Sequence, residues 1–197
     1  MKVIGLTGGI ASGKSSAARL LEEFGAAVID ADHLAREAVR PGTESLAAIV
    51  ALFGQELLQA DGTLDRSAVG RRIFADPEAR RALEKIVHPE VRRLASQKLQ
   101  SLKESGTRIA FYMAPLLMES GAGALCDEIW VVDVDEATQL QRVMARDGVT
   151  REEARQRMAA QLPLAEKAAR GDLVIDNRGS LEELAARLKV TWEEAIK

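Results

Sequence analysis

The chain has 197 residues, of which 47% are hydrophobic and 29% charged, and its net charge at pH 7 is −3. These values indicate a globular protein with a sizeable core, built as one domain or as one domain with an insertion. They argue against duplex DNA as a partner, which calls for a basic surface. No apolar run is long enough for a transmembrane helix. From the charge and from this pattern, we expect neither nucleic acid nor a membrane as a partner.

The first predicted strand, residues 3–6, leads into a phosphate-binding motif. Gly8–Ser15 reads Gly-Gly-Ile-Ala-Ser-Gly-Lys-Ser, a full match to G-x-x-x-x-G-K-[ST]. Its glycines allow the loop to turn backbone N–H groups around phosphate oxygens. Lys14 is expected to reach the β- and γ-phosphates, and the Ser15 hydroxyl to bind Mg²⁺. Apolar residues at helical spacing follow, so a helix should point its N-terminus at a nucleoside triphosphate.

The start of the chain and its one cysteine both bear on the cellular compartment. The first strand begins at residue 3, which leaves no room for a signal peptide, and we expect the protein in the cytoplasm. Cys126 is the single cysteine, so an internal disulfide is excluded. Core packing is the expected role of Cys126, and a reactive thiol is the alternative.

The second predicted strand, residues 27–29, ends at two acids, Asp30 and Asp32. An acid that follows a strand directly after the first helix is expected near the mouth of the phosphate loop. Phosphoryl transfer to an alcohol needs a carboxylate that accepts the hydroxyl proton and orients the oxygen. Asp32 is our candidate for this base and Asp30 the second choice. The alternative role for Asp32 is to cap the helix that follows.

Residues 33–106 contain no convincing strand, which predicts a helical insertion that forms its own acceptor lobe. The Lys and Arg residues from 33 to 103 exceed the Asp and Glu residues by three, which suits an anionic second substrate. The predicted core therefore comprises residues 1–32 and 107–197. The alternative is that individual arginines of the insertion only solvate helix surfaces.

Three further strands are predicted at residues 108–113, 129–134 and 173–175, and their alternation with helices indicates a parallel α/β sheet. A segment at about 142–165 is expected to form a short helical lid, and arginines on it to close over phosphates. The candidates are Arg142, Arg146, Arg151, Arg155 and Arg157. Capping boxes start two helices, at Thr150 and at Ser180. An apolar stripe that includes Leu181 is predicted on the closing helix.

Several families with phosphate loops are excluded because their signature motifs are missing from this sequence. The sequence has neither the Asn-Lys-x-Asp motif for guanine nor the Leu-Ser-Gly-Gly-Gln signature of transporter ATPases. Asp133 ends an apolar strand as a magnesium-binding acid would, but its late position favours an ordinary strand end. These absences favour a small-molecule kinase.

The ordered motifs resemble those of the dephospho-CoA kinase family over almost the whole chain. The phosphate loop, Ile29–Asp32, Val87-His88-Pro89, Pro115-Leu116-Leu117 with Glu119, Gln139–Arg142 and Val174–Asn177 follow one another as in that family. The resemblance implies a five-stranded P-loop kinase fold with the lobe and lid described above. It also implies transfer of the γ-phosphate of ATP to the ribose 3′-hydroxyl of dephospho-CoA, which gives CoA and ADP in the last step of CoA biosynthesis.

The resemblance also implies the site residues. Asp32 would be the catalytic base, with Lys14 as the second catalytic residue. Asp32, His88 and Arg92 would bind the acceptor, although a His-Pro pair that caps or bends a helix is the structural alternative. Ser15 would bind Mg²⁺. The expected ATP-binding residues are Gly8, Gly9, Ala11, Ser12, Gly13, Lys14, Ser15, Ser16, Arg142 and Asn177.

One position departs from the family pattern. Met113 stands where many members carry an acid, so Asp32 or Glu119 would have to complete the outer shell of the metal. We expect ATP and dephospho-CoA as the partners of a monomer or weak homo-oligomer. The alternatives are another small-molecule kinase, for nucleoside monophosphates or a sugar acid, and a nucleotide switch without an acceptor.

Overall fold

The computed structural model describes the backbone of residues 1–197 and the side chains of all of them except residues 74 and 75. A five-stranded parallel sheet has the order β2-β3-β1-β4-β5. Its strands are β1 (Lys2–Gly8), β2 (Ala27–Asp30), β3 (Ile109–Met113), β4 (Glu128–Asp133) and β5 (Leu173–Asp176). The predicted fold class is confirmed, since each predicted strand is present with ends shifted by at most about two residues.

Helices connect the strands, and most of them lie between β2 and β3 or between β4 and β5. Their bounds are α1 (Lys14–Glu23), α2 (Ala31–Ala38), α3 (Glu44–Phe53), α4 (Arg66–Ala75), α5 (Pro77–Glu104), α6 (Glu136–Asp147), α7 (Arg151–Ala159), α8 (Leu164–Arg170) and α9 (Leu181–Ala195). The chain divides into two compact units, one of residues 1–29 and 101–197 and one of residues 30–100. No helix among the described residues is long and apolar enough to cross a membrane.

The unit that contains most of the sheet is held by aromatic packing. Phe111 on β3 meets Trp130 on β4 edge-to-face, with ring centroids 5.1 Å apart, and its ring lies 6.0 Å from that of Trp192 on α9. The Trp192 indole N–H donates to the Phe24 carbonyl at 3.1 Å, which ties α9 to the end of α1. These contacts hold β3 and β4 in place on either side of β1, the strand from which the phosphate loop begins.

Leu181 is an exception to the predicted apolar stripe of α9. Leu184, Leu188 and Trp192 are buried, but Leu181 is 46% exposed. Leu181 is the first residue of α9, so it lies at the helix end rather than over the core. The prediction was wrong at this position because helical spacing does not show where the core ends.

The helical unit of residues 30–100 has its own core, in which Val39, Ile49, Leu57 and Val69 are buried. Its longest helix, α5, runs through Pro89 without a break. A proline there removes the hydrogen bond to the Lys85 carbonyl. Lys85 and Pro89 both lie on the exposed side of α5, where that carbonyl can bind water instead. The His88-Pro89 pair is therefore not a helix cap.

Cys126 packs beside the sheet, and burial together with the neighbouring Asp127 carboxylate raises the pKa of its thiol to about 11. Only the thiolate is nucleophilic, so alkylation with iodoacetamide at pH 8 should be about 100-fold slower in the folded protein than in the unfolded chain. Mass spectrometry with and without denaturant measures this ratio. Equal rates in both states would contradict a buried thiol.

Candidate functional site

The loop between β1 and α1 has the backbone geometry that its sequence predicts. Gly13 precedes α1 with a φ of 99°, a left-handed conformation that favours glycine. Ala11 also has a positive φ, of 57°, which is uncommon for a residue with a side chain and marks a constrained turn. The first helical residue is Lys14, so the free N–H groups of α1 begin inside the motif.

Asn177, directly after β5, holds this loop through a side-chain hydrogen bond. Its side-chain Nδ2 donates to the Ser12 carbonyl at 2.7 Å, and Asn177 itself is buried. A Cβ atom on Gly13 would lie only 2.0 Å from the same Nδ2. The close approach explains why the loop needs glycine at position 13, and it links the loop to a residue that is distant in sequence.

Two glutamines bracket the tip of the loop at Ile10. The Gln139 Nε2 on α6 donates to the Ile10 carbonyl at 2.9 Å, and the Ile10 amide donates to the Gln161 Oε1 at 2.9 Å. Gln161 lies between α7 and α8, within the segment predicted as a lid. The loop tip is therefore hydrogen-bonded to α6 and to the lid segment at once.

The Lys14 ammonium group lies over the loop. Its Nζ donates to the carbonyls of Gly8 and Gly9, at 3.0 and 2.8 Å. Gly8, Gly9 and Ser12 are buried. They therefore belong to the part of the loop that packs against the protein and not to its exposed surface.

A cavity of about 710 Å³ is lined in part by the phosphate loop. Five of the eight predicted loop residues line it, namely Ala11, Gly13, Lys14, Ser15 and Ser16. The cavity also contains Arg142 and Arg146 of α6, together with Asn177 and Gly179. Ala145 and Leu181 add apolar surface. A cavity lined by both cationic and apolar side chains suits a nucleotide.

The five arginines of the lid region have different surroundings. Arg142 donates to the Asn177 carbonyl at 3.2 Å and faces the cavity. Arg146 pairs with the Asp147 carboxylate at 2.7 Å, and Arg157 pairs with the same carboxylate at 2.5 Å. Arg155 lines a different cavity, and Arg151 is exposed at the start of α7. Arg142 and Arg146 are therefore the two of the five that share a cavity with the loop.

Glu119 takes part in an ion pair that the sequence did not reveal. The Nζ of Lys167, which is fully buried, lies 2.8 Å from the Glu119 carboxylate and donates to the Pro115 carbonyl at 2.7 Å. Partial burial opposes ionisation of Glu119, but the hydrogen bonds from Lys167 and from the Leu162 amide hold its pKa below the ordinary value. Glu119 is therefore already paired with a lysine, and its place in the outer shell of the metal stays a prediction.

In the helical unit, Asp30 rather than Asp32 caps α2. The Asp30 carboxylate accepts a hydrogen bond from the Asp32 amide at 2.8 Å, and Asp30 has the extended backbone of an N-cap residue. Asp32 belongs to the first turn of α2 and is exposed. The alternative role of Asp32 as the N-cap of α2 is therefore wrong, because Asp30 holds that position.

His88 and Arg92 lie one turn apart on α5, so they share one face of this helix. His88 is half-buried and Arg92 is exposed. The neighbouring Arg93 pairs with Glu90 at 2.6 Å, on a different face. Within the part of the chain that the structure describes, three or more His, Cys, Asp and Glu side chains do not gather as a protein-only metal site.

Comparisons with known proteins agree on one family. Residues 2–183 match the dephospho-CoA kinase family. A dephospho-CoA kinase of Geobacter sulfurreducens is 58% identical over 192 residues, which cover 98% of both chains. One of Geobacter metallireducens is 55% identical over 197 residues, covering 100% of this chain and 98% of the relative.

Solved structures show the same likeness. The dephospho-CoA kinase of Campylobacter jejuni is 28% identical, with a TM-score of 0.75 over 99% of this chain and 98% of the other. A shikimate kinase of Acinetobacter baumannii, at 18% identity and a TM-score of 0.52 over 100% of this chain and 96% of the other, shares the fold alone.

Proposed function

The chain belongs to the dephospho-CoA kinase family, and on this premise we propose which of its residues carry out the reaction. It is a phosphotransferase that uses ATP to phosphorylate dephospho-CoA in CoA biosynthesis. The match over the full length of close relatives, together with a complete phosphate loop, carries this conclusion. The proposed acceptor atom is the ribose 3′-hydroxyl, and the proposed products are CoA and ADP.

The cavity beside the loop is the proposed ATP site. Backbone N–H groups at residues 11–16 would surround the phosphates. Arg142 and Arg146 would add charge-assisted contacts to phosphate oxygens. Gly8, Gly9, Ser12 and Asn177 would act by shaping the loop, since each is buried. The exposed Leu181, with Ala145, offers apolar surface for the adenine ring.

The proposed metal is Mg²⁺, bound together with ATP. Mg²⁺ favours oxygen ligands and is commonly held by one or two protein groups in addition to substrate phosphates. The Ser15 hydroxyl is exposed and lines the cavity beside Lys14, which fits that requirement. When bound, the ion would neutralise charge on the phosphates. Met113 is almost fully buried on β3 and supplies no oxygen ligand.

Asp32 is the proposed catalytic base. Asp32 lies in the first turn of α2, and its carboxylate would accept the proton of the acceptor hydroxyl. The deprotonated 3′-oxygen attacks the γ-phosphorus. The bond between the γ-phosphorus and the oxygen that bridges it to the β-phosphate then breaks, and ADP leaves. Lys14 would stabilise the charge that develops on the transferred group. His88 and Arg92 would contact the acceptor from one face of α5.

The remaining assignments are also proposals. Residues 1–32 and 107–197 would form the nucleotide core, residues 33–106 the acceptor lobe, and about 142–165 the lid. The lobe and lid would exclude water from the γ-phosphate. We further propose that the protein works in the cytoplasm as a monomer or weak homo-oligomer, without nucleic acid or membrane partners.

An acceptor panel tests the proposed function. A coupled assay of ADP release compares dephospho-CoA with a nucleoside monophosphate and with shikimate at equal concentrations, and with a reaction that has no added acceptor. Dephospho-CoA should give kcat/KM at least about 100-fold above the other acceptors, because a site built for one substrate penalises missing contacts strongly. Equal use of a nucleoside monophosphate or shikimate would favour another small-molecule kinase. Slow ADP release without any acceptor dependence would favour a nucleotide switch.

Gln161 offers a test of the link between the lid segment and the loop. Replacing Gln161 by Ala removes the acceptor for the Ile10 amide, so the loop tip is less ordered before ATP binds. We expect KM for ATP to rise about 3- to 10-fold, the effect of one neutral hydrogen bond. Gln156→Ala, at an exposed position of α7, is the matched control. A Gln161→Ala variant with the KM of the control would show that the link is unimportant for ATP binding.

A further inference from the structure

A second cavity, of about 330 Å³, lies entirely within the helical unit of residues 30–100. Three arginines line it: Arg36 on α2, Arg40 just beyond α2, and Arg66 as the first residue of α4. Gln59 and Thr63 contribute polar groups from the turn before α4. The cavity is therefore a concave, strongly cationic surface, separate from the residues that line the phosphate-loop cavity.

The wall that carries Gln59 and Thr63 is held by backbone hydrogen bonds. The Gln59 amide donates to the Thr63 carbonyl at 2.8 Å, and the Asp65 amide donates to the Leu57 carbonyl at 2.7 Å. Leu58 and Leu64 form an antiparallel bridge between these bonds. A wall fixed in this way places side chains in a defined geometry before any ligand binds.

The nearby acids leave the three arginines without a short ion pair, and Glu37 acts on Arg40 only through a longer-range Coulomb interaction. Among the ion pairs of the described residues, none involves Arg36, Arg40 or Arg66. Asp65 lines the cavity, but its carboxylate accepts a hydrogen bond from the Ala68 amide and caps α4. Glu37, next to Arg36, pairs with Lys98 at 3.0 Å. Three guanidinium groups thus face one cavity whose single acid serves as a helix cap.

The position of Arg36 relative to Asp32 suggests which anion binds. The two residues are four apart on α2, so they share one face and lie about 6 Å apart along the helix axis. Dephospho-CoA carries a diphosphate on the ribose 5′ carbon, which is attached to the ring carbon next to the one that bears the 3′-hydroxyl. A ribose hydroxyl held at Asp32 would therefore place the diphosphate within reach of a guanidinium group one turn along α2, at Arg36.

We propose that this arginine-lined cavity binds the 5′-diphosphate of dephospho-CoA and so sets the position of the ribose at Asp32. The proposal rests on the function proposed above, in which Asp32 meets the 3′-hydroxyl. Guanidinium groups bind phosphate oxygens in pairs through parallel N–H donors. Arg36 contacts the diphosphate from α2, Arg40 from the segment just beyond α2, and Arg66 from the start of α4.

Binding measurements on the full chain test this assignment. Arg36→Gln, Arg40→Gln and Arg66→Gln each remove one charge, and Arg71→Gln, at an exposed position of α4 outside the cavity, is the matched control. Each cavity variant should weaken dephospho-CoA binding in calorimetry about tenfold, as expected for one charge-assisted contact. The KM for ATP should stay within about twofold of wild type, and the control should bind dephospho-CoA like wild type.

The salt dependence of dephospho-CoA binding gives a second readout, which altered folding alone would not change. Binding of dephospho-CoA to the wild type should weaken as potassium chloride is raised, and the cavity variants should lose part of this dependence. Arg36→Lys keeps a charge and should recover part of the affinity. Wild-type affinity and salt dependence in all three Gln variants would overturn the cavity assignment while leaving the kinase function intact. A wild-type protein that does not phosphorylate dephospho-CoA would instead overturn the proposed function.

Discussion

Replacing Asp32 by Asn is expected to lower kcat by about 10²- to 10⁴-fold, the usual contribution of a general base. The amide keeps the size of the carboxylate but cannot accept a proton from the 3′-hydroxyl. Affinity for ATP should be nearly unchanged, because the proposed role of Asp32 is to accept the proton of the acceptor hydroxyl and not to bind the nucleotide phosphates. Rapid-quench kinetics with dephospho-CoA, together with calorimetric titration of an ATP analogue, measure the two effects separately.

Asp30→Asn is the matched control for this experiment. Asp30 caps α2, and Asn is as good an N-cap residue as Asp. The control should keep its fold and most of its turnover, while Asp32→Asn loses only about 0.3–1 kcal/mol of helix-dipole stabilisation. If Asp32→Asn turns over at the wild-type rate while Asp30→Asn is inactive, the base has been assigned to the wrong acid.

Lys14→Ala is expected to lower kcat by about 10²- to 10³-fold, comparable to the removal of one preorganised donor from a transition state. The ammonium group is the one lysine charge that lines the phosphate-loop cavity. Its hydrogen bonds to the Gly8 and Gly9 carbonyls would also be lost, so KM for ATP should rise as well. Steady-state kinetics at saturating ATP isolates the effect on kcat from the effect on binding.

Arg19→Ala controls for the loss of a positive charge from α1. Arg19 is exposed and lies 3.9 Å from Glu23, a surface pair that contributes little to stability. The control should retain wild-type kcat and a wild-type melting temperature. A Lys14→Ala variant within about threefold of the wild-type kcat would contradict a role for this lysine in stabilising the transition state.

Local sequence patterns predicted the parts of this molecule that depend on neighbouring residues. The phosphate loop, the five strands and both capping boxes, at Thr150 and Ser180, follow from residues at most a few positions apart. Propensity, periodicity and capping act over such distances. The family resemblance rested on the order of these same local motifs along the chain.

Contacts between distant segments were not predictable in this way. The Asn177 side chain reaches Ser12 across 165 positions, and Gln161 reaches Ile10 across 151. Lysine is a residue type that is rarely buried, yet Lys167 is fully buried and pairs with Glu119. Each contact depends on which strands are neighbours, and spacing along the chain carries no such information.

The two acids after β2 show a finer limit. The sequence placed both near a helix start, but which one caps α2 depends on where the helix begins. The boundary falls one residue after Asp30, and helix boundaries are the least certain feature of a sequence prediction. A shift of two residues separates the acid that caps α2 from the acid proposed as the catalytic base.

A crystal structure with dephospho-CoA and a non-hydrolysable ATP analogue bound together tests the central claim most directly. The account predicts the triphosphate on the backbone amides of the loop. It also predicts the ribose 3′-oxygen within hydrogen-bonding distance, about 3 Å, of the Asp32 carboxylate and in line with the γ-phosphorus. A ternary complex in which that oxygen lies beyond reach of Asp32, with another group beside it, would contradict the proposed mechanism.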